Sequence, residues 1–475
     1  MTLNLPDPLA ALGIKKLDRR RFLGLAGLGA GAMALAACGG PETAPPSTPA
    51  AGGAAGSGAA GSSGAAAGSG TDWAGVKPAT SITFWTNHPG SSEDVEKAII
   101  ADFNANNPDK IQVKMVTAGS NYEEVAQKFQ TAQSGGGLPD LVIFSDVWWF
   151  RYYMQKSILK LDDLLTAVEL DTSAYRESLV KDYQYADGQW AIPYARSTPL
   201  FYYNKEHWSK AGLEDRAPKT WDEFAEWAPK LAAAGLGTQH VYQLPALADY
   251  AGWAFQNNLW GWGGGWSKEW DITCDSAESV AALQFLQDSV YKDKWSGVSS
   301  KAATDDLAAG AVSATVGSTG SLVGVQKTAK FDVGVGFLPG GPKVDKPVCP
   351  TGGAGLGIPI DIAPENQKAA ALFLKFLTNA ENTVKFSAAT GYMPVQTDAD
   401  TSALVKANPL VQTAIDQLAV TRPQDNARVF IPGADQEMAK SCATILTSQG
   451  SVQDTMTALK ATLTKIYNSE VKPNL

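Results

Sequence analysis

Residues 193–224 read PYARSTPLFYYNKEHWSKAGLEDRAPKTWDEF, and this stretch divides the chain. Ser197 and Thr198 stand ahead of Pro199, and the run Leu200–Tyr203 is apolar and aromatic, the composition of a strand. The chain then passes through Asn204 into a helix-like segment that stops at Gly212 and Leu213. Beyond Pro218, Thr220 is placed to cap another helix, with Glu223 at the spacing of a capping box. The pattern predicts a strand that ends one domain and feeds the next.

Upstream, the folded part begins near Thr80. Ser81–Trp85 reads as a strand, Ser91 or Ser92 caps a helix with Val95, Ile99 and Phe103 on one face, and Ile111–Val116 alternates as a second strand. Tyr122–Ala132 fits a helix with Val125 and Phe129 inside, and Leu141–Phe144 a short buried strand. The first lobe is therefore α/β. Downstream, a second lobe runs from Thr198 to about Val335 and carries Trp253, Trp260, Trp262, Trp266 and Trp270 among glycines. Such rings either form a platform for a sugar or a cation or pack in core and loops. Val333–Pro339 reads as a strand returning to the first lobe, followed by another opened by Gly352, Gly353 and Ala354 and by an apolar helix from Pro364. After Gly391-Tyr392-Met393-Pro394 the chain crosses back. Lobes joined by two or three crossings enclose a cleft with a hinge.

The ends and the composition set the setting. Lys15, Lys16 and Arg19–Arg21 precede Phe22, Leu23 and a Gly/Ala-rich apolar run, the layout of an export signal over residues 1–37. The arginines resemble a twin-arginine signal, with Asp18 and Gly24 departing from its flanks, so the general secretory route stays open. Leu35–Cys38 is similar to a lipobox, which implies acylation of Cys38 and anchoring to the outer face of the cytoplasmic membrane. The Ala/Gly/Ser/Pro-rich residues that follow, 38–79, read as a disordered tether with a reach of ~30 Å. The 475-residue chain carries a net charge of −9, near −12 once 1–37 is removed, and no basic stripe beyond its start, which argues against a nucleic-acid partner. With Cys38 acylated, Cys274, Cys349 and Cys442 allow at most one disulfide, and their spacing does not suggest a metal site.

Enzyme signatures are missing. His88, His207 and His240 stand alone, and there is no HExxH, P-loop or G-x-S-x-G. Gly353–Gly357 fails the dinucleotide spacing. The carboxylate pair of a glycosidase has no sequence signature to find. Gly317–Ser321, GSTGS, suits an anion-binding loop because small residues let backbone amides approach; the alternative is a Ser-capped helix end facing water.

The crossover resembles that of extracytoplasmic solute-binding proteins of ABC importers, whose second lobe commonly opens with YYNK, AGL and PKTW plus an acid, here Tyr202–Lys205, Ala211–Leu213 and Pro218–Asp222. NYE at Asn121, GSTGSL at Gly317, AKFDVGVGFLP at Ala329, GGA at Gly352 and TGYMPV at Thr390 extend the likeness to the glycerol-3-phosphate-binding branch. The resemblance implies a two-lobed α/β fold of the periplasmic-binding-protein type (type II), with 80–197 and 336–388 in the first lobe and 198–335 and 389–475 in the second. It implies no catalytic residue, cofactor or metal, a monomer, and membrane permease subunits as partners. Tyr122 and Asp146 would hold glycerol hydroxyls, Asp146 standing where the family often has Glu. Ser197, Ser318 and the Gly353 amide would contact phosphate or glycerol, and Tyr392 would donate its hydroxyl. Some relatives have an Arg shortly after a Pro, but here Pro432 is followed by Gly433-Ala434-Asp435, which makes Arg428 the candidate phosphate cation, with Arg422 behind it. Where relatives close the pocket with Trp, this chain reads QLPALADY (243–250); on the resemblance, Leu247 or a neighbour would leave more room, and Asp249 would face a cationic head group. A glycerophosphodiester such as glycerophosphocholine is the expected ligand, with an oligosaccharide and an exported cell-envelope hydrolase as alternatives.

Overall fold

The computed structural model describes residues 70–87, 91–298 and 302–475, the side chains of Ser91, Ala248 and Asp249 excepted. The architecture below is that of the unit Ala65–Leu475. The signal segment 1–37, Cys38 and the tether up to residue 69 lie outside the described residues.

Two five-stranded sheets organise this unit. The first has the order Gln112–Thr117, Ser81–Thr86, Leu141–Ser145, Gly352–Gly357, Ile192–Ser197. Ser81–Thr86 runs parallel to both neighbours, and Gly352–Gly357 antiparallel to both of its own. Leu141–Ser145 is buried at every residue, as its unbroken apolar run LVIF requires of a central strand covered on both faces. The helix Pro364–Leu377, with Pro at its start where no amide partner is lost, brings Phe373 against Phe84 and Phe103 at 5.8 and 5.1 Å between ring centres.

The second sheet has the order Ser296–Val298, His240–Leu244, Val312–Ser318, Pro199–Asn204, Val333–Gly336. Its core is aromatic: Phe224 meets Phe201, Tyr242 and Trp295 edge-on at 5.2–5.5 Å. The stretch at 193–224 does what its sequence predicts. Ile192–Ser197 belongs to the first sheet, Pro199–Asn204 to the second, and Thr198 alone lies between. The Asn204 side chain caps the next helix by accepting the amides of Glu206 and His207, and Thr220 Oγ1 accepts the Glu223 amide at 3.1 Å. The return half of the capping box is displaced by one residue. Glu223 takes the Lys219 amide, because Arg216 holds its carboxylate at 2.7 Å.

Three boundaries differ from expectation. Val333–Gly336 does not return to the first lobe; it is an edge strand paired antiparallel with Pro199–Asn204. The chain stays with the second lobe beyond it, since the Leu338 amide donates to Gln417 and Asn257 Nδ2 to the carbonyls of Pro339 and Val348. The first sheet is regained only after Thr351. Likewise residues 389–397 stay with the first lobe, where Met393 donates to Arg196 O and Thr397 to Ala174 O. Finally, Gly70–Ala79, read as tether, packs on the first lobe: Trp73 is buried and Lys368 Nζ donates to the carbonyls of Trp73 and Val76 at 2.7 Å. Cys274, Cys349 and Cys442 are free and buried, so no disulfide joins them.

Candidate functional site

Arg428 joins the two lobes. It lies on the short helix Asn426–Val429 and is buried. Its Nε donates to Asp435 Oδ1 at 2.9 Å, and its Nη1 to Gln424 Oε1 and, across the cleft, to Asp146 Oδ2 at 3.3 Å. Gln424 Nε2 donates to the same Asp146 oxygen at 2.6 Å. Asp146 follows the central strand of the first sheet, whereas the other three come from the second lobe. Burial opposes charge on the guanidinium, but Asp435 and Asp146 outweigh it and hold its pKa above the ordinary value. One cation thus lies between two carboxylates. The approach is close because residue 252 is glycine: a Cβ there would sit 2.4 Å from Asp435 Oδ1.

Tyr122 is the first residue of the helix Tyr122–Gly135, which Asn121 caps by accepting the Glu124 amide at 2.9 Å. Its hydroxyl lies 3.4 Å from that of Tyr392, and burial raises both phenol pKa values. Tyr392 follows the left-handed cap Gly391 (φ 99°) and stacks on Phe386. On its other side it presses on the second lobe, where a Cβ on Gly320 would meet its ring at 2.8 Å. Tyr122, Tyr250, Arg428 and Asp435 line one small crevice.

A larger cavity, about 1090 Å³, opens beside it in the second lobe, lined by Leu247, Tyr250, Trp253, Val316 and Ser318 among others. Tyr250 borders both spaces from a kink (φ −146°, ψ 22°) in the helix Leu247–Ala254. Asp249 is on that helix, its side chain outside the described residues. Ser197 and Gly353 line neither space; they lie at the crossing, where Ser197 pairs with Gly352 and Gly353 with Arg196. Gly353 O accepts the Asp146 amide at 3.0 Å.

The expected anion loop is largely self-satisfied: the Thr319 amide donates to Thr198 O and the Gly320 amide to Ser318 Oγ, each at 3.0 Å. What Ser318 retains is its hydroxyl proton at the cavity wall. The tryptophan tract is mostly core. Trp266 is fully buried and donates to Gly252 O, Trp260 donates to Asp425 under the Arg422 guanidinium, Trp262 packs on Phe285 and Trp270 stacks on Tyr467. Only Trp253 of the five lines the cavity. Sequence reasoning missed Gln424, Asp435 and Tyr250 as site residues. Nothing in the sequence pairs Arg428 with Asp146, 282 positions away. Phe430 was missed too. From the second lobe it meets Trp149, Phe150 and Tyr185 of the first at 6.1, 4.6 and 6.2 Å.

Residues 98–413 match the family of bacterial extracellular solute-binding proteins. The chain belongs to that family. It is 30% identical to the sn-glycerol-3-phosphate-binding periplasmic protein UgpB of Escherichia coli O6:K15:H31 (strain 536), over 68% of this chain and 76% of the relative. Among solved structures it is similar to UgpB from Mycobacterium tuberculosis in complex with glycerophosphocholine, with 39% identity and a TM-score of 0.78 over 84% of this chain and all of that one. Maltose-bound MalE3 of T. maritima follows at 25% and 0.72, over 82% of this chain and all of that one. This solute-binding protein therefore has the two-lobed α/β periplasmic-binding fold and works outside the cytoplasm.

Proposed function

We propose that this chain captures a glycerophosphodiester, such as glycerophosphocholine, and delivers it to the permease of an ABC importer. The observation that carries this is the 39% identity, over the whole of the solved chain, to a protein crystallised with glycerophosphocholine. The cleft fits the reading. Asp146, Arg428 and Tyr122 offer acceptors and donors for glycerol hydroxyls and phosphate, and the cavity past Leu247 leaves room for a second substituent. Ser197, Ser318, the Gly353 amide and Tyr392 are proposed further contacts, and Asp249 a partner for a cationic head. Because Arg428 is already matched by two carboxylates, a diester with one negative charge is favoured over glycerol-3-phosphate, which approaches two. Contacts from both lobes favour the closed state, which docks on the permease. The protein acts as a monomer, by binding rather than turnover, held to the membrane through acylated Cys38 after export. Radiolabelled fatty acid absent from the wild-type chain, or still present on Cys38→Ser, refutes the anchor.

Calorimetry with glycerol-3-phosphate, glycerophosphocholine and maltose tests the ligand. Heat with the phosphodiester, and less or none with the other two, is expected. Binding to maltose alone overturns the assignment and favours the sugar reading, in which Trp253→Ala abolishes affinity.

A further inference from the structure

Three chain crossings join the lobes, and Arg196 ties the first to the second and to the first-lobe segment that leads into the third. Arg196 lies on the strand Ile192–Ser197, two residues before the first crossing at Thr198. Its carbonyl accepts the amide of Met393, in the first-lobe segment that leads to the third crossing, at 2.9 Å. Its fully buried guanidinium pairs with Asp182, and the same Asp182 oxygen accepts the Thr351 hydroxyl of the second crossing at 2.6 Å. Nη1 adds a bond to Tyr183 OH at 2.7 Å, with the guanidinium lying over the Tyr183 ring.

This arrangement is a poor way to gain stability. Desolvating a buried ion pair offsets most of its attraction, and here the Nε–H is buried with no hydrogen-bond partner. What it does supply is geometry, because a guanidinium holds its donors in one rigid plane. Ser197 is the next residue, and Gly353 lies opposite Arg196 in the sheet. Gly353 takes φ +100°, and a Cβ there would fall 2.0 Å from Ala195 O, so the strands touch at this point as only glycine permits.

We propose that Arg196 is a positioning residue of the hinge: with Asp182 and Thr351 it binds the first and second crossings, and the segment leading to the third, into one unit, so that the lobes rotate about a single knot while Ser197 and Gly353 keep a fixed spacing. The inference rests on the two-lobed solute-binding fold, not on the identity of the ligand. Hydrogen exchange on the full chain tests it through three variants. Thr351→Val removes the tie to the second crossing and leaves the Arg196–Asp182 pair intact. Exchange in segments 194–199, 349–354 and 391–395 is expected to rise about fivefold, the size one lost hydrogen bond gives, with strands 141–145 and 312–316 unchanged. Arg196→Met is expected to raise exchange in the same segments further, and Arg196→Lys, which keeps a charge opposite Asp182, to fall between. Unchanged exchange in Thr351→Val, or a uniform rise over both lobes, overturns the proposal, and does so even if Arg196→Met fails to fold. Glycerophosphocholine should leave Thr351→Val about fivefold faster than wild type. No binding to the wild-type chain would count against the ligand and leave the exchange result standing.

Discussion

Asp146→Asn separates the roles of the charges in the cleft. It removes the ion pair between lobes but strands no charge, because Arg428 keeps Asp435 at 2.9 Å and the new side-chain carbonyl can still accept from Gln424. Folding stability should therefore change by less than about 1 kcal/mol, in contrast to the ~3–5 kcal/mol lost when a buried charge loses its only partner. Closure loses a hydrogen bond between charged groups, worth about 1.5–3 kcal/mol, so glycerophosphocholine affinity should fall roughly 10- to 150-fold. The second effect has the opposite sign for a more highly charged ligand. In the wild type one cation faces two carboxylates; in the variant the two charges balance. An extra negative charge ~6 Å from a carboxylate, at an effective dielectric of ~20, costs at most about 3 kcal/mol, and the variant removes that cost. Glycerol-3-phosphate should thus lose less affinity than the diester, or gain, and the ratio between the two ligands should narrow. Calorimetric titration of both ligands, with thermal unfolding as the stability control, measures each quantity. Wild-type affinity for both, or an equal loss for both, refutes the reasoning.

Other expectations follow from single contacts. Phe430→Ala removes a second-lobe ring from three first-lobe rings, each aromatic pair being worth ~0.5–1.5 kcal/mol, so stopped-flow release should accelerate about tenfold or more. Gly353→Ala forces a Cβ to within 2.0 Å of Ala195 O at positive φ, and should cost about 3 kcal/mol or more in denaturant unfolding; a loss under 1 kcal/mol contradicts the close approach. Burial moves the Cys274 thiol from 9.0 to about 12. Its contribution is full below pH 9, where both states hold the proton, and is lost as pH rises toward 12, because only the unfolded chain ionises. Native protein at pH 8 should then resist a thiol reagent that reacts after unfolding, and Cys274→Ala should flatten the alkaline limb of the stability profile.

The elements were legible wherever local chemistry dictates them. The apolar run Leu200–Tyr203, the caps Asn204 and Thr220, and the all-buried LVIF strand each follow from side-chain period and backbone donors, and the division at Thr198 followed from them. Val333–Gly336 was assigned to the wrong lobe because a short apolar strand carries no label for its partner; the pairing with Pro199–Asn204 is a tertiary choice. The two readings of the tryptophan tract stay open in the sequence for a related reason. An indole that stacks on a ligand and one that fills a core have the same composition, and only the fold buries Trp266 while leaving Trp253 at the cavity wall.

The sequence by itself determined the two α/β lobes, the position of the first crossing and the resemblance that placed the chain among the solute-binding proteins, because each is written in near neighbours. The tertiary structure alone decided which charges meet. Asp146 meets Arg428 from 282 positions away, across the cleft, a hydrogen bond that exists only once both lobes are in place, and Thr351 meets Asp182, the partner of Arg196, from 169 positions away. Buried polar groups must find partners, but the chain does not state locally which partner it will be.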